Sequence, residues 1–242
     1  MPGRRLALLA PALLFGRTSA WAGPAAALRI AGLPQLDPQA RVAHQLLGEI
    51  YRRCGLDLQI EILPPARATL TAQANRVDGE LMRTFDYGRE HPELLRVTPP
   101  YYRVAVHAFW LRSRALTVRS SADLLRYSVC ALRGVSFVPQ FTRGHPALTL
   151  VQNNAQMFRM LESGRVDLVL NGLLSSQATL ARLQLTDVDT SPELGRLDLF
   201  HYLRPQRARE AALLGDTIQR LRASGELDRM TARYESAALT SS

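Results

Sequence analysis

The order of hydrophobic and polar positions in this chain lays down one plan twice. In residues 157–171, MFRMLESGRVDLVLN, Met157, Phe158 and Leu161 fall at helical spacing and make one apolar face. Gly164 follows Glu162 and Ser163, where a helix end needs a residue tolerant of positive φ. Arg165-Val166-Asp167 comes next, then Leu168-Val169-Leu170, a short apolar run that reads as a buried strand. Residues 70–82, LTAQANRVDGELM, repeat the order. A short helix ends at Asn75, which also tolerates the left-handed region, and Arg76-Val77-Asp78 leads into a strand. An apolar strand precedes each helix, at 58–63 and 148–151. A three-residue match is cheap by itself in 242 residues, but the shared context predicts two similar α/β lobes.

The rest of the pattern fits around these units. Residues 28–31 predict a first strand, closed by Gly32-Leu33-Pro34. Asp37-Pro38 is a helix start, with Asp as N-cap and Pro at the first helical position. Val42, Leu46, Leu47 and Ile50 line its buried face, and Gly55 stops it. Residues 56–62 alternate strictly, which is strand period with one face wetter than the other. A helix at 66–74 and a strand at 77–82 follow, so 28–82 predicts a parallel, right-handed α/β layer. Residues 85–92 read as a loop or short helix, 94–98 as extended, and 104–111 as a strand crossing between lobes. Ser120 or Ser121 caps a short helix through Leu125. The second set runs through strands at 128–132, 148–151 and 166–170, with helices from Asn154 and near 174–180. A last strand of that lobe is predicted at 185–188, and 197–203 is the return crossing. Leu213, Leu214, Ile218 and Leu221 mark a helix broken at Gly225, and 226–234 a final helix. Both should pack on the first lobe.

Composition changes this picture in two respects. The formal charge is +9, and all 30 basic residues are Arg. They are interleaved with acids and form no long like-charge run, which speaks against a nucleic-acid footprint. The first 22 residues read as a cleavable export signal: Arg4 and Arg5, an apolar stretch at 6–15, and Ala20-Trp21-Ala22, which places cleavage after Ala22. Ten apolar residues are too few to span a bilayer, which takes about twenty. A soluble protein exported to the periplasm is implied. The two cysteines, Cys54 and Cys130, fall in different predicted lobes and have no metal or redox spacing, so two separate buried thiols are expected.

Five stretches carry a likeness to a known family: NRVDGELMR (75–83), VTPPYY (97–102), YSVCALRGVS (127–136), LESGRVDLVLN (161–171) and IQRLRASGELDRMTARY (218–234). In this order, and behind an export signal, the chain from 28 to 234 resembles the extracytoplasmic solute-binding proteins of family 3, the amino-acid-type receptors of ABC importers. The resemblance implies an α/β fold of periplasmic binding protein type II, a Venus flytrap of two lobes joined by two crossing strands. Its boundaries would be a signal peptide at 1–22, lobe 1 at 23–110, lobe 2 at 111–196, and a return strand with C-terminal helices at 197–242. It also implies a monomer without cofactor, a small-molecule ligand between the lobes, and an ABC permease as partner.

In open α/β sheets ligands sit outside the carboxyl ends of strands, where helix N-termini point. Five candidates for ligand binding lie at such places. Arg83 ends the third strand and suits a bidentate grip on a carboxylate, or is a solvated strand end. Arg67 opens a helix, where a cation opposes the dipole and needs a ligand or an acidic neighbour. Arg133 precedes Gly134 at the matching end of the second lobe. Tyr101 is a cleft wall or core, and Asn171 an amide contact or a turn residue. Two features depart from the family pattern. The loop TFDYGREHPE (84–93) lacks the family's T-x-E/K-R stretch, though Arg89 is near. Asn171-Gly172 stands where the family carries an acid for the ligand's amino group. A polar or anionic solute, amino acid or carboxylate-like, fits this pattern.

The enzyme alternative, a dehydratase-like activity on the same fold, finds little support. The five His are scattered, at 44, 91, 107, 145 and 201, without metal-ligand spacing. There is no nucleophile elbow and no phosphate loop. Glu80 and Asp86 near Arg83 are the one acid–base possibility. No catalytic or metal residue is therefore assigned. A third reading, a sensor that feeds a membrane receptor, is equally compatible with the sequence.

Overall fold

The computed structural model describes residues 27–32, 37–63, 65–135 and 137–240. The predicted export signal at 1–22, the predicted strand end at Leu33-Pro34, and Pro64 lie outside these residues. Ten strands form one mixed sheet in the order β2-β1-β3-β10-β5-β8-β6-β7, with β4 paired to β10 and β9 to β5.

The first half of the sheet belongs to lobe 1. β1 (Leu28–Gly32) lies parallel to β2 (Leu58–Ile62) and to β3 (Gly79–Thr84). α1 (Pro38–Arg53) starts where Asp37 accepts a bond from the Gln39 N–H at 2.8 Å, with Pro38 in the first turn. Its face of Val42, Leu46, Leu47 and Ile50 is fully buried. α2 (Pro65–Gln73) follows β2, and Asn75 takes φ 57°, the left-handed turn its side chain permits. Every residue of β2 keeps some exposure, because β2 is the sheet's edge. The segment 85–92 contains a short helix, α3 (Tyr87–Glu90), and β4 (Leu95–Arg96) is a two-residue strand.

Lobe 2 repeats the order. β6 (Val129–Leu132) is parallel to β7 (Leu148–Val151) and β8 (Leu168–Gly172). α5 (Asn154–Glu162) and α6 (Leu173–Leu183) cover it. α4 (Val138–Thr142) carries no helical period that a five-residue element can display, and sequence reasoning passed over it. β9 (Val188–Thr190) begins where the strand at 185–188 was expected to end, and it pairs antiparallel with β5.

The lobes meet on two long strands. β5 (Tyr102–Leu111) pairs through Tyr102–Val106 with β10 (Gly195–Leu203), and through Val106–Phe109 with β8. β10 continues from β5 onto β3, with Leu199 opposite Thr84 and Leu203 opposite Gly79. The predicted crossings are these two strands. α7 (Ala208–Ala223) and α8 (Glu226–Thr240) return to lobe 1, where Leu214, Ile218, Leu221, Leu227 and Met230 join the core around α1. Lobe 2 has a core on each face of its sheet, one around Val129, Leu168 and Leu170, the other around Met157, Phe158 and Val169. The two cysteines are free; Cys130 is buried and Cys54 half-buried, with its thiol 3.2 Å from Thr217 Oγ1. Among the described residues no helix is long and apolar enough to cross a membrane.

Candidate functional site

The two lobes turn the carboxyl ends of their parallel strands toward one another, and a cavity of about 780 Å³ lies between them. Lobe 1 lines it with the end of β3 (Met82, Arg83, Thr84), with Asp86, Tyr87 and Glu90 around α3, and with Asp37 and Gln39 at the start of α1. Lobe 2 contributes Leu132, Arg133, Gly134 and Val135 after β6, Gln140 and Arg143 around α4, and Asn171 and Ser175. Val104, Leu197 and Leu199 of the crossing strands also line it. A cavity of this size is in the range of small-molecule sites.

Arg83 stands in the wall, but its guanidinium is already engaged. Nε donates to Glu80 Oε2 at 2.6 Å, and the group forms an ion pair with the same carboxylate. Glu80 is 1% exposed. Tyr87 Oη donates to the other carboxylate oxygen, and the Arg83 guanidinium sits 5.0 Å from the Tyr87 ring centre. Burial and the neighbouring Glu80 carboxylate push the Tyr87 phenol up to about 12. Glu80 thus holds Arg83 and Tyr87 in place. Because it lies behind them, it is withdrawn from the acid–base role considered for it. Asp86, the other carboxylate of that pair, is exposed and ion-paired with Arg89 at 2.9 Å.

The opposite wall is different. Arg133 follows β6 at a turn closed by Gly134 with φ 78°, and its backbone N–H bonds Val151 O at 2.8 Å. The side chains of Arg133 and Arg143 are exposed and have no acid partner among the described residues. Asn171 is 4% exposed and donates through Nδ2 to Asn154 Oδ1 and Ser176 Oγ, both at 3.1 Å. Its amide therefore joins the α5 and α6 starts within the cavity wall.

The other two predicted residues lie elsewhere. Tyr101 is 1% exposed in the lobe 1 core and donates to Leu81 O at 3.1 Å. Its apolar ring and satisfied hydroxyl make it a packing residue. Arg67 is exposed on α2 and does not line the cavity. Sequence reasoning missed Arg143, because α4 is too short to show a period, and Tyr87 and Glu90, because α3 is a single turn. Asp37 was legible as a helix cap, with nothing local to place it in a cleft.

No family model matches this chain, and no curated protein matches it. Solved structures do. A histidine kinase sensor domain with similarity to periplasmic binding proteins superposes with TM-score 0.70 at 16% identity, over 87% of this chain and 96% of that one. The GluR0 ligand-binding core in complex with L-glutamate gives 0.72 at 13% identity, over 88% and 99%. The amino-acid ABC transporter substrate-binding protein AbpA from Streptococcus pneumoniae, bound to L-arginine, gives 0.65 at 19%, over 88% and 95%. The fold is that of the two-lobed periplasmic binding proteins. The periplasmic-binding-protein fold places its two lobes on either side of a cleft, and here that cleft is the cavity between β3 and β6.

Proposed function

We propose that this protein is an exported solute-binding protein that captures a small polar or anionic solute, an amino acid or a carboxylate, between its lobes. The observation that carries the reading is the cavity lined from both lobes, with two arginines, Arg133 and Arg143, whose guanidinium groups have no acid partner among the described residues. Such groups bind a carboxylate with two parallel charge-assisted bonds. Asn171 and Arg83 complete the polar lining. Delivery to an ABC permease is the role we favour, in line with the amino-acid-binding neighbours and the export signal. The sensor-domain neighbour supports a second reading, in which the liganded form is read by a membrane receptor.

The test is a thermal-shift screen of residues 23–242 with amino acids, small carboxylates, polyamines and sugars, run beside Arg133→Gln. A ligand at a hundred times its Kd adds about 2.7 kcal/mol. In a chain of this size that corresponds to a shift of roughly 5–10 °C. A shift confined to carboxylate-bearing compounds and lost in Arg133→Gln supports the reading. No shift with any class, or a shift that Arg133→Gln leaves intact, refutes it. Transport is separated from sensing by measuring solute uptake in cells with and without this protein.

A further inference from the structure

Asp37 is bonded to first-turn residues of three helices from two lobes. Its Oδ1 accepts from the Gln39 N–H at 2.8 Å and so caps α1 of lobe 1. Its Oδ2 faces the other way. It accepts from Ser175 Oγ of α6 at 2.7 Å, and Asn154 Nδ2 of α5 lies 3.4 Å from it. Both donors belong to lobe 2, and Asn154 is pre-set by a neighbour. Asn171 Nδ2 donates to Asn154 Oδ1 at 3.1 Å. Asn171 also reaches Ser176, the neighbour of Ser175, at 3.1 Å. Helix N-termini carry partial positive charge and unpaired N–H groups, and they favour an anion. Every bond Asp37 makes here comes from an uncharged donor, and no cation pairs with it among the described residues. Asp37 also lines the cavity. Close by, Gln39 of α1 packs against Gly172 at the start of α6, so the same two helix ends touch through a second pair.

We infer that Asp37 is a built-in anionic latch: its carboxylate occupies an anion position supplied by side-chain donors at the α5 and α6 starts, and so ties the two lobes together across the cleft. One oxygen serves the helix and the other serves closure, so the two tasks are separable by mutation. The consequence is that opening the cleft breaks this one carboxylate's lobe 2 contacts. This holds whatever solute the cavity takes.

The test needs no ligand. Spin labels at Arg76→Cys on lobe 1 and Arg182→Cys on lobe 2, both exposed positions, report the interlobe distance in a chain carrying Cys54→Ser and Cys130→Ala. Small-angle scattering of unlabelled protein gives the overall dimension. Asp37→Gly keeps a residue that helix N-caps accept with little loss, and Ser175→Ala leaves the α1 cap untouched. Both variants are expected to raise the open population by about tenfold, the effect of losing one charge-assisted bond. Sodium acetate, the probe for the vacated anion position, should close Asp37→Gly and leave the wild type unchanged. Distances that match the wild type in both variants overturn the latch. An Asp37→Gly protein that opens but ignores acetate overturns the anion position. If Asp37→Gly fails to fold, Ser175→Ala decides the matter by its distance alone.

Discussion

Asp78 and Asp167 hold corresponding places in the two lobes. Each precedes the strand that pairs with the first strand of its lobe, and each carboxylate accepts a backbone N–H from that strand's start. Asp78 Oδ2 accepts from Arg29 at 2.9 Å, and Asp167 Oδ2 from Ser128 at 3.0 Å. The backbone answers in kind: the Asp78 N–H bonds Arg29 O, and the Asp167 N–H bonds Ser128 O. The Asp of each Arg-Val-Asp triplet is therefore a staple between strands.

The two staples differ in depth, and that sets their mutational cost. Asp78 is 6% exposed and also holds Arg204 at 2.7 Å and Arg207 at 2.9 Å. Burial would raise its carboxyl, but the Arg29 N–H and the two guanidinium groups outweigh burial and keep it below the usual range. Asp167 is more open and has one ion pair, to Arg114 at 2.8 Å. Asp78→Ala should cost about 3 kcal/mol and Asp167→Ala about 1 kcal/mol. Urea unfolding midpoints of the two variants check the order; equal losses would contradict it.

His201 predicts how stability responds to mild acid. The ring is wholly buried on β10, with Nδ1 2.8 Å from Glu80 O and Nε2 2.8 Å from Tyr51 Oη. Desolvation pulls its pKa down to about 4, against a backbone contact that raises it. The unfolded chain, with an ordinary imidazole near 6.5, binds the extra proton first. Stability is thus complete above pH 6.5 and falls as pH drops toward 4, by about 3 kcal/mol over the window. His201→Gln should flatten that part of the stability–pH curve relative to the wild type, and parallel curves would exclude the assignment.

Gly79 leaves no room for a side chain. A Cβ there would stand 2.1 Å from Tyr202 O and 2.8 Å from Leu203 Cδ2, where β3 meets β10. Backbone cannot swing aside as a side-chain tip does. Gly79→Ala should destabilise the fold by about 2–3 kcal/mol, read as a lower thermal midpoint. An unchanged midpoint would mean the β3–β10 register adjusts freely.

Arg83 and Arg133 separate architecture from binding. Removing Arg83 strands the buried Glu80 carboxylate, so Arg83→Ala should lose about 2–3 kcal/mol of stability before any ligand is added. Arg133→Gln removes an exposed group with no acid partner among the described residues and should change stability by less than about 0.5 kcal/mol. Its ligand affinity should drop by about 2 kcal/mol, roughly 30-fold. Calorimetric titration of both variants tests the split. A stable Arg83→Ala protein, or an Arg133→Gln protein with full affinity, would reverse the roles.

Much of this protein is determined locally and is legible in its residues. The Asp37-Pro38 start of α1, the turns at Asn75 and Gly164, the doubled Arg-Val-Asp plan and the strand period of β5 and β10 depend on neighbours a few positions away. Backbone conformation and amphipathic spacing express such relations directly. Function depends on relations that no local pattern records. That Glu80 would occupy Arg83 while Arg133 has no acid partner among the described residues was set by which strand ends the two lobes bring face to face. That Tyr101 would be core followed from the packing around Leu81. The second oxygen of Asp37 meets Ser175 across 138 residues only because β5 and β10 carry both lobes on one sheet. Local sequence determined the elements and their repeat; the long-range pairing of strands decided which charges are spent within the fold and which face the cleft.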